Sequence, residues 1–302
     1  MLKILANDGM DKSAVDHLMS LGHQVDTNFY PVEELKTKLR EFDCIVIRSA
    51  TKIREELIDA VAGSQLKLII RAGVGMDNID IEYAESKGIK VRNTPNSSSA
   101  SVAELAIGHM FALARFIGIS NVTMRNGEWN KKAYKGTEIG GKTLGLIGFG
   151  RIARETAKRA MALGMDVIYT DLRGPGEPME GCKFVEEDVL IRSADYISLH
   201  IPFIKEYGPA LFKDKFDKMK DGVYIINCAR GGVVCEAGLL EALNSGKVAG
   251  AGIDVFVEEP TKNEALVNHP NVSVTPHIGA STAEAQTRIG IETYSLIIKE
   301  LK

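Results

Sequence analysis

Short apolar runs alternate with segments of helical period along most of this chain. "LKILA" (2–6) precedes "DKSAVDHLMSLG", "DCIVI" (43–47) precedes "REELIDAVAG", and "LKLII" (66–70) precedes "IDIEYAESKG". "IKVRN" closes this series at Asn93. Strand and helix at this spacing predict a parallel sheet with helices on both faces. Gly22, Gly63 and Gly88 fall where those helices would end, the usual place of a left-handed C-terminal cap. The rhythm breaks after "NTPN" (93–96). The pattern then predicts one long helix from about Ser98 to Arg125, followed by the loop "NGEWNKKAYKGTEIGG". A second series begins at "KTLGLIG" with a helix over 151–163. It continues through "DVIYT", the turn "RGPGEP", and the strands "DYISLH", "GVYIIN", "VAGAGIDV" and "VSVT", and it ends in a helix over about 283–300. Pro95 and Pro276 flank the second series and read as hinge points, because proline ends regular structure and restricts the residue before it.

The chain has 302 residues, enough for two α/β domains, each with its own core. Its 45% hydrophobic and 25% charged composition is that of a globular protein, and the net charge of −3 argues against a nucleic-acid partner. "AELAIGHMFALARFIGI" is the most apolar long segment. It carries Glu104, His109 and Arg115, so it reads as a packed helix and not a membrane span. No signal peptide is visible, and Cys44, Cys182, Cys228 and Cys235 show no metal spacing. Reduced thiols, a cytoplasmic location and no bound metal are the expectation.

"LGLIGFGRIARETAKRAMALGMDVIYTD" carries the most specific local signal. Gly148, Gly150 and Ala153 form G-x-G-x-x-A directly after a strand and at the start of a helix. The first glycine permits the tight turn, the second lets backbone approach a pyrophosphate, and the small third residue lets helix and strand pack closely. The helix N-terminus offers unpaired N–H groups to the phosphates. Asp171 ends the next strand, at the spacing of an acid that binds adenosine ribose hydroxyls. Its charge favours NAD over NADP, although Arg173 two residues later keeps NADP open.

Ligands of open α/β sheets sit at the carboxyl ends of the strands, and polar residues mark several such ends. His200 ends "YISLH", Arg230 follows "VYIINCA", Asp254 ends "GAGID" and His277 follows "VSVTP". Glu259 lies five residues past Asp254. An arginine, a carboxylate and a histidine beside a nicotinamide suit hydride transfer. Oxidation of a secondary alcohol needs a base for the hydroxyl proton, and histidine serves near neutral pH. A carboxylate bonded to the histidine fixes its tautomer, and a guanidinium holds a substrate carboxylate through two parallel bonds. Plainer readings compete: a helix-approach cap for His277, a solvated loop acid for Glu259, and a tie to a neighbouring carbonyl for Arg230. His200 reads as a cofactor contact. His17, His23, His109 and His269 sit in ordinary helix or loop contexts and read as structural.

"RAGVGMDNID", "NTPNSSSASVAELA", "GKTLGLIGFGRIARETA", "SLHIP", "INCARGGVV", "GIDVFVEEP" and "TPHIGASTAEAQ" together resemble the D-isomer-specific 2-hydroxyacid dehydrogenases over nearly the whole chain. "RSATKI", "NTPN" and "PHIGASTAEAQ" are most similar to the D-3-phosphoglycerate dehydrogenases. The resemblance implies an α/β protein of two doubly wound parallel-sheet domains. A Rossmann NAD-binding domain at 95–282 would be inserted in a discontinuous, flavodoxin-like substrate-binding domain at 1–94 and 283–302. It implies that Arg230 anchors the substrate carboxylate, that Glu259 orients the histidine, and that His277 is the acid–base. Arg151 and Ile152 would lie over the pyrophosphate and Asp171 on the ribose. His200 with Ile201, Cys228, Ala229, Arg230, Asp254, His277, Gly279 and Ala280 would line the rest of the cofactor, with Val74 at its edge. Backbone N–H groups of Gly73, Val74 and Gly75 would bind the substrate carboxylate from the other domain. Arg48 and Arg71, with Lys131 or Lys132 of a second subunit, would meet a substrate phosphate. A homodimer joined through the nucleotide domains by the helix near 98–125 is implied as well.

The implied reaction interconverts 3-phosphoglycerate and 3-phosphohydroxypyruvate with NAD, the first step of serine biosynthesis. A glyoxylate/hydroxypyruvate reductase, or a broader 2-hydroxyacid dehydrogenase, is the alternative. An NAD-binding corepressor of similar fold is a remote third. The chain departs from the family pattern in several places. It stops at Lys302, short of the regulatory domains of many phosphoglycerate dehydrogenases, so serine feedback by that route is not expected. Ala153 replaces the third glycine of the motif. Val74 stands where a hydroxyl residue is frequent. Cys235 stands where an aspartate usually caps the helix that follows "RGGVV", and a thiol caps poorly.

Overall fold

The structure is a computed structural model that describes residues 1–302. The chain folds into two compact units, Met1–Ser98 with Ala280–Lys302, and Ser99–Gly279. No single helix is long and apolar enough to cross a membrane.

The first unit holds a five-stranded parallel sheet: β1 (Lys3–Ala6), β2 (Gln24–Asp26), β3 (Cys44–Ile47), β4 (Leu68–Arg71) and β5 (Lys90–Asn93), in the order β2-β1-β3-β4-β5. The central strands β1, β3 and β4 are apolar along most of their length because both faces are covered, whereas the edge strands β2 and β5 carry polar residues. Leu5, Ile45, Ile47, Ile69 and Val91 face one core with Leu57 and Ile58. Ile4, Ala6, Cys44, Val46, Leu68 and Ile70 face the other, which the C-terminal helix Ala283–Glu300 closes with Ile289 and Ile297. That helix meets helix Lys12–Ser20 at Gly290, where a Cβ would lie 2.9 Å from the Cβ atoms of both Asp11 and Ala14.

The second unit holds seven parallel strands: β6 (Thr143–Ile147), β7 (Asp166–Thr170), β8 (Cys182–Phe184), β9 (Tyr196–Leu199), β10 (Val223–Asn227), β11 (Val248–Ile253) and β12 (Val272–Val274). Their order, β8-β7-β6-β9-β10-β11-β12, reverses direction between β6 and β9. That switch point is where doubly wound sheets open a crevice at their carboxyl ends. Helix Ser99–Ala114 runs through this unit with ten of its residues buried, Met110 and Ala106 completely.

The structure departs from the sequence reading in several elements. The helix expected to run unbroken from Ser98 to Arg125 ends at Ala114 and restarts as Ile117–Arg125 after a bend of 62°. Phe116 adopts a left-handed φ of 54°, and the Ala114 carbonyl accepts from Thr137 N–H instead of continuing the ladder. Gly136 lets that loop approach, since a Cβ there would sit 2.4 Å from Ala114 O. The edge strands β2 and β8, of three residues each, and the helix Val32–Lys38 were absent from the sequence reading.

Candidate functional site

The β6-to-helix turn has the geometry its glycines require. Gly148 has φ of 86°, and a Cβ there would lie 2.6 Å from Ile201 Cγ2 and 2.7 Å from the His200 carbonyl oxygen. The turn is thus packed onto the end of β9, and His200 N–H donates to the Ile147 carbonyl. Gly150 begins helix Arg151–Ala162 and differs from Gly148: a Cβ on it would meet nothing within 4 Å. No side chain caps this N-terminus. Open space over a glycine, before a twelve-residue helix with uncapped N–H groups, fits an anionic pyrophosphate. Ala153 is fully buried in the core of this unit, so the small third residue of the motif is a packing contact.

Asp171 stands just past the end of β7. Its Oδ2 accepts from Phe149 N–H at 2.9 Å and its Oδ1 from Arg173 N–H at 3.0 Å. Burial pushes this carboxyl up, but those two bonds and the Arg173 charge outweigh burial and hold it below the usual carboxylate range. The Arg173 guanidinium is 3.5 Å away and mostly exposed. Burial pushes His200 down to about 4, so its imidazole is neutral at physiological pH, with Nε2 3.0 Å from Ser198 Oγ. Arg151 is exposed at the helix start, whereas Ile152 and Ile201 are half-buried against the core.

The strand-end trio lies in the second unit. His277 Nδ1 is 2.7 Å from Glu259 Oε2. An ionised carboxylate only accepts, so Nδ1 carries the proton and Nε2 keeps its lone pair for exchange with a ligand. Glu259 is itself fixed by Phe256 N–H on Oε1 at 3.1 Å. Burial pushes its carboxyl up, but the hydrogen bonds from His277 and Phe256 and the charge of Arg230 outweigh this and hold it low. Arg230 Nη1 donates to the Ala229 carbonyl at 2.6 Å, so the tie to a neighbouring carbonyl exists alongside the electrostatic contact with Glu259. Asn227 shapes the bend: its Oδ1 accepts from Ala229 N–H and its Nδ2 donates to the Arg230 carbonyl.

The two glycines after Arg230 are required for different reasons. A Cβ on Gly231 would fall 1.8 Å from the Phe256 carbonyl oxygen and 2.8 Å from Val257 N, so the backbones of the two loops touch there. Gly232 has φ of 81° and faces the Phe203 ring. For Gly231 the requirement is close backbone contact, and for Gly232 it is the turn. Cys235 is the N-cap of helix Glu236–Asn244 and makes no side-chain cap bond, as expected of a thiol there.

His277 also adopts a left-handed φ, 53°, which costs a non-glycine residue about 1–3 kcal/mol. Asp254 holds it there. The Asp254 carbonyl accepts from His277 N–H at 2.8 Å, Oδ1 accepts from Ile278 N–H at 2.8 Å, and Oδ2 from Gly279 N–H at 2.9 Å. Three successive N–H groups therefore close on one residue, itself 1% exposed at the end of β11. Thr275 Oγ1 donates to the same Oδ1 at 2.6 Å. Sequence reading passed over Asn227 and Thr275; position next to a strand-end motif was their only signal. Cys228 is buried, and burial, then the charge of Asp254, pushes its thiol up. Ala229 is half-buried.

The remaining candidates are distributed as follows. Lys131 and Lys132 are exposed on the loop after Ile117–Arg125. Ala280 lies in the first unit, its carbonyl accepting from Gln286 Nε2. Arg48, Arg71 and the loop Gly73–Gly75 also lie in the first unit, at the carboxyl ends of β3 and β4. Asp8 accepts from Arg48 N–H, and Asn78 Nδ2 donates to the Arg48 carbonyl, fixing that turn. Arg71 Nη1 occupies the space a Cβ on Gly73 would take, 1.4 Å from it. Asn93 Nδ2 donates to the Val74 carbonyl at 2.6 Å and steadies the loop. Of the histidines read as structural, His17 packs on Tyr294, His23 accepts from Leu2 N–H and His269 from Asn271 N–H.

Residues 107–279 match the family model described as the D-isomer specific 2-hydroxyacid dehydrogenase, NAD binding domain. The chain belongs to the D-isomer-specific 2-hydroxyacid dehydrogenase family. It is an oxidoreductase of α/β fold whose cofactor is NAD. This dehydrogenase is 48% identical to a hydroxypyruvate reductase of Thermotoga maritima, across 99% of the chain and 98% of that protein. It is 43% identical to a D-3-phosphoglycerate dehydrogenase of Methanocaldococcus jannaschii, covering 100% of the chain but 58% of that longer relative. A crystal structure of a glyoxylate reductase from Paecilomyes thermophila superposes with a TM-score of 0.90 at 31% identity, covering 100% of this chain and 95% of that one.

Proposed function

We propose that the dehydrogenase interconverts 3-phosphoglycerate and 3-phosphohydroxypyruvate, as a step of serine synthesis. In this reading Arg230 binds the substrate carboxylate and polarises the C2 oxygen. His277 Nε2 takes the hydroxyl proton as hydride leaves C2, and Glu259 offsets the charge that the imidazole gains. Bound NAD supplies the hydride acceptor. Gly150 and the N–H groups of the helix beginning at Arg151 carry its pyrophosphate, Asp171 its ribose, and the Cys228–Ala229 and Asp254 side its nicotinamide. The observation that carries the phosphorylated substrate is the pair of arginines at adjacent strand ends, Arg48 after β3 and Arg71 ending β4, beside the Gly73–Gly75 loop. Guanidinium forks suit phosphate oxygens.

A second reading is an NADH-dependent hydroxypyruvate reductase. It is favoured by the relative of that name, which the chain matches over 98% of its length. The two separate in a panel of NADH oxidation with 3-phosphohydroxypyruvate, hydroxypyruvate, glyoxylate, pyruvate and 2-oxoglutarate. The proposal expects Arg48→Ala and Arg71→Ala to lose far more kcat/KM on the phosphorylated acid than on hydroxypyruvate. Equal losses on both overturn it in favour of the reductase.

A homodimer joined through the second unit belongs to the same proposal. Helix Ile117–Arg125 has no buried residue, and Ile117, Val122 and Met124 are each more than half exposed. Apolar exposure of this kind marks an association surface. Sedimentation at a monomer mass that is unchanged by Val122→Asp would refute it.

A further inference from the structure

His109 is more than a packed core histidine. It sits on helix Ser99–Ala114 and is 3% exposed, with Nδ1 2.9 Å from Ser273 Oγ and Nε2 3.1 Å from Thr275 Oγ1. The donors can be assigned. Asp254 accepts only, so the Thr275 hydroxyl proton goes to Oδ1 and its oxygen must accept from His109 Nε2–H. Nδ1 then accepts from Ser273. A continuous chain runs from Ser273 through His109 and Thr275 to Asp254, whose backbone and carboxylate close the turn at His277, Ile278 and Gly279. A second observation is independent of these bonds. Gly252 of β11 has a bare face against the ring, where a Cβ would lie 2.6 Å from His109 Cβ and 2.9 Å from Cγ. The sheet is recessed at the point where the imidazole enters.

We infer that His109 is a positioning residue for the proton-exchanging turn, holding Asp254 through Thr275 so that His277 keeps its left-handed conformation. The inference rests on the proposed role of His277. Asp254 is the titratable group facing His109 through Thr275, and Glu259, under the charge of Arg230, faces His277 from the other loop. Burial lowers the basicity of His109, partly offset by Asp254, which keeps the ring neutral with one donor and one acceptor. The link is structural and not a proton path, because each contact between Asp254 and the turn is a backbone N–H.

The wild-type enzyme gives the first test. Histidine ¹⁵N shifts should show His109 as the neutral Nε2–H tautomer at pH 7 to 8. An Nδ1–H or charged ring overturns the inference, whether or not any variant folds. Kinetics give the second. His109→Leu should slow single-turnover hydride transfer about tenfold, within the hundredfold that a 1 Å displacement of a catalytic group costs, with NADH affinity unchanged. His109→Gln, which restores an N–H toward Thr275, should recover most of that loss. A wild-type rate for the folded His109→Leu enzyme, or a glutamine variant as slow as the leucine one, refutes the positioning role. A wild-type enzyme that turns over no 2-oxo acid would refute the proposed function instead, and leaves the tautomer measurement intact.

Discussion

Gly231→Ala is the sharpest perturbation of this site, because the added methyl meets backbone and nothing can rotate away. Its Cβ would sit 1.8 Å from the Phe256 carbonyl oxygen and 2.2 Å from its carbon. Carbon–oxygen contacts in proteins recur down to about 3.3 Å, so the two loops must separate by about 1.5 Å. Phe256 N–H holds Glu259, and Glu259 holds His277, so the displacement reaches the imidazole within two hydrogen bonds. A 1 Å misplacement costs about 10²-fold in rate, and a backbone shift of this kind costs about 1–3 kcal/mol in stability. The expected outcome is kcat lowered about a hundredfold with a modest fall in Tm, and with NADH affinity near wild type. Gly232→Ala is the control. It meets the Phe203 ring at 3.0 Å, which is partly exposed and can turn, and it bears mainly the cost of its positive φ, about 1–2 kcal/mol. Stopped-flow NADH oxidation with both variants compares the two. A Gly231→Ala enzyme that keeps wild-type kcat, or one no slower than Gly232→Ala, would show that loop contact does not set the geometry.

Other outcomes follow from the same geometry. His277→Asn should lower kcat by about 10²–10⁴-fold while NADH still binds, as followed by fluorescence titration; weakened NADH binding of similar size would assign His277 to the cofactor instead. The folded Asp171 carboxyl is held low, so its stabilisation is present above the unfolded carboxylate range and is lost as pH falls through the folded value. Wild type should therefore lose its Tm advantage over Asp171→Asn on acidification, and Asp171→Ser should move cofactor preference toward NADPH, with Arg173 at hand for the 2′-phosphate. His200 has its folded value lowered from 6.5 to about 4. Its stabilisation is thus present above pH 6.5 and declines as the unfolded chain takes up a proton that the folded ring refuses. The denaturation midpoint should fall between pH 6.5 and 4 by more for wild type than for His200→Asn, and equal slopes would show that the ring is charged in the fold.

Much of the site was legible because its chemistry is local. The helix-start glycines and Asp171 lie in one strand–helix–strand stretch, and Arg230, Asp254 and His277 each follow an apolar strand directly. In a parallel sheet the ends of neighbouring strands lie together, so a linear pattern indicates proximity. The elements that escaped were those without a local signal. β2 and β8 are three-residue edges with little burial, too short for a period to show. The break at Phe116 is invisible because apolar residues continue through it, and Thr137 takes the Ala114 carbonyl from outside the helix.

By itself the sequence determined which segments form buried strands, which turn fits a dinucleotide, and which side chains follow those strands. Burial on two faces and the steric demands of a tight turn leave few residue types possible at those positions, and those constraints are written in consecutive residues. The tertiary structure alone decided what holds the chemistry still. Gly231 matters through the backbone of Phe256, and His109 through a hydroxyl 166 residues away. Contacts of that kind depend on how separate strands and helices come together, and no periodicity along the chain records them.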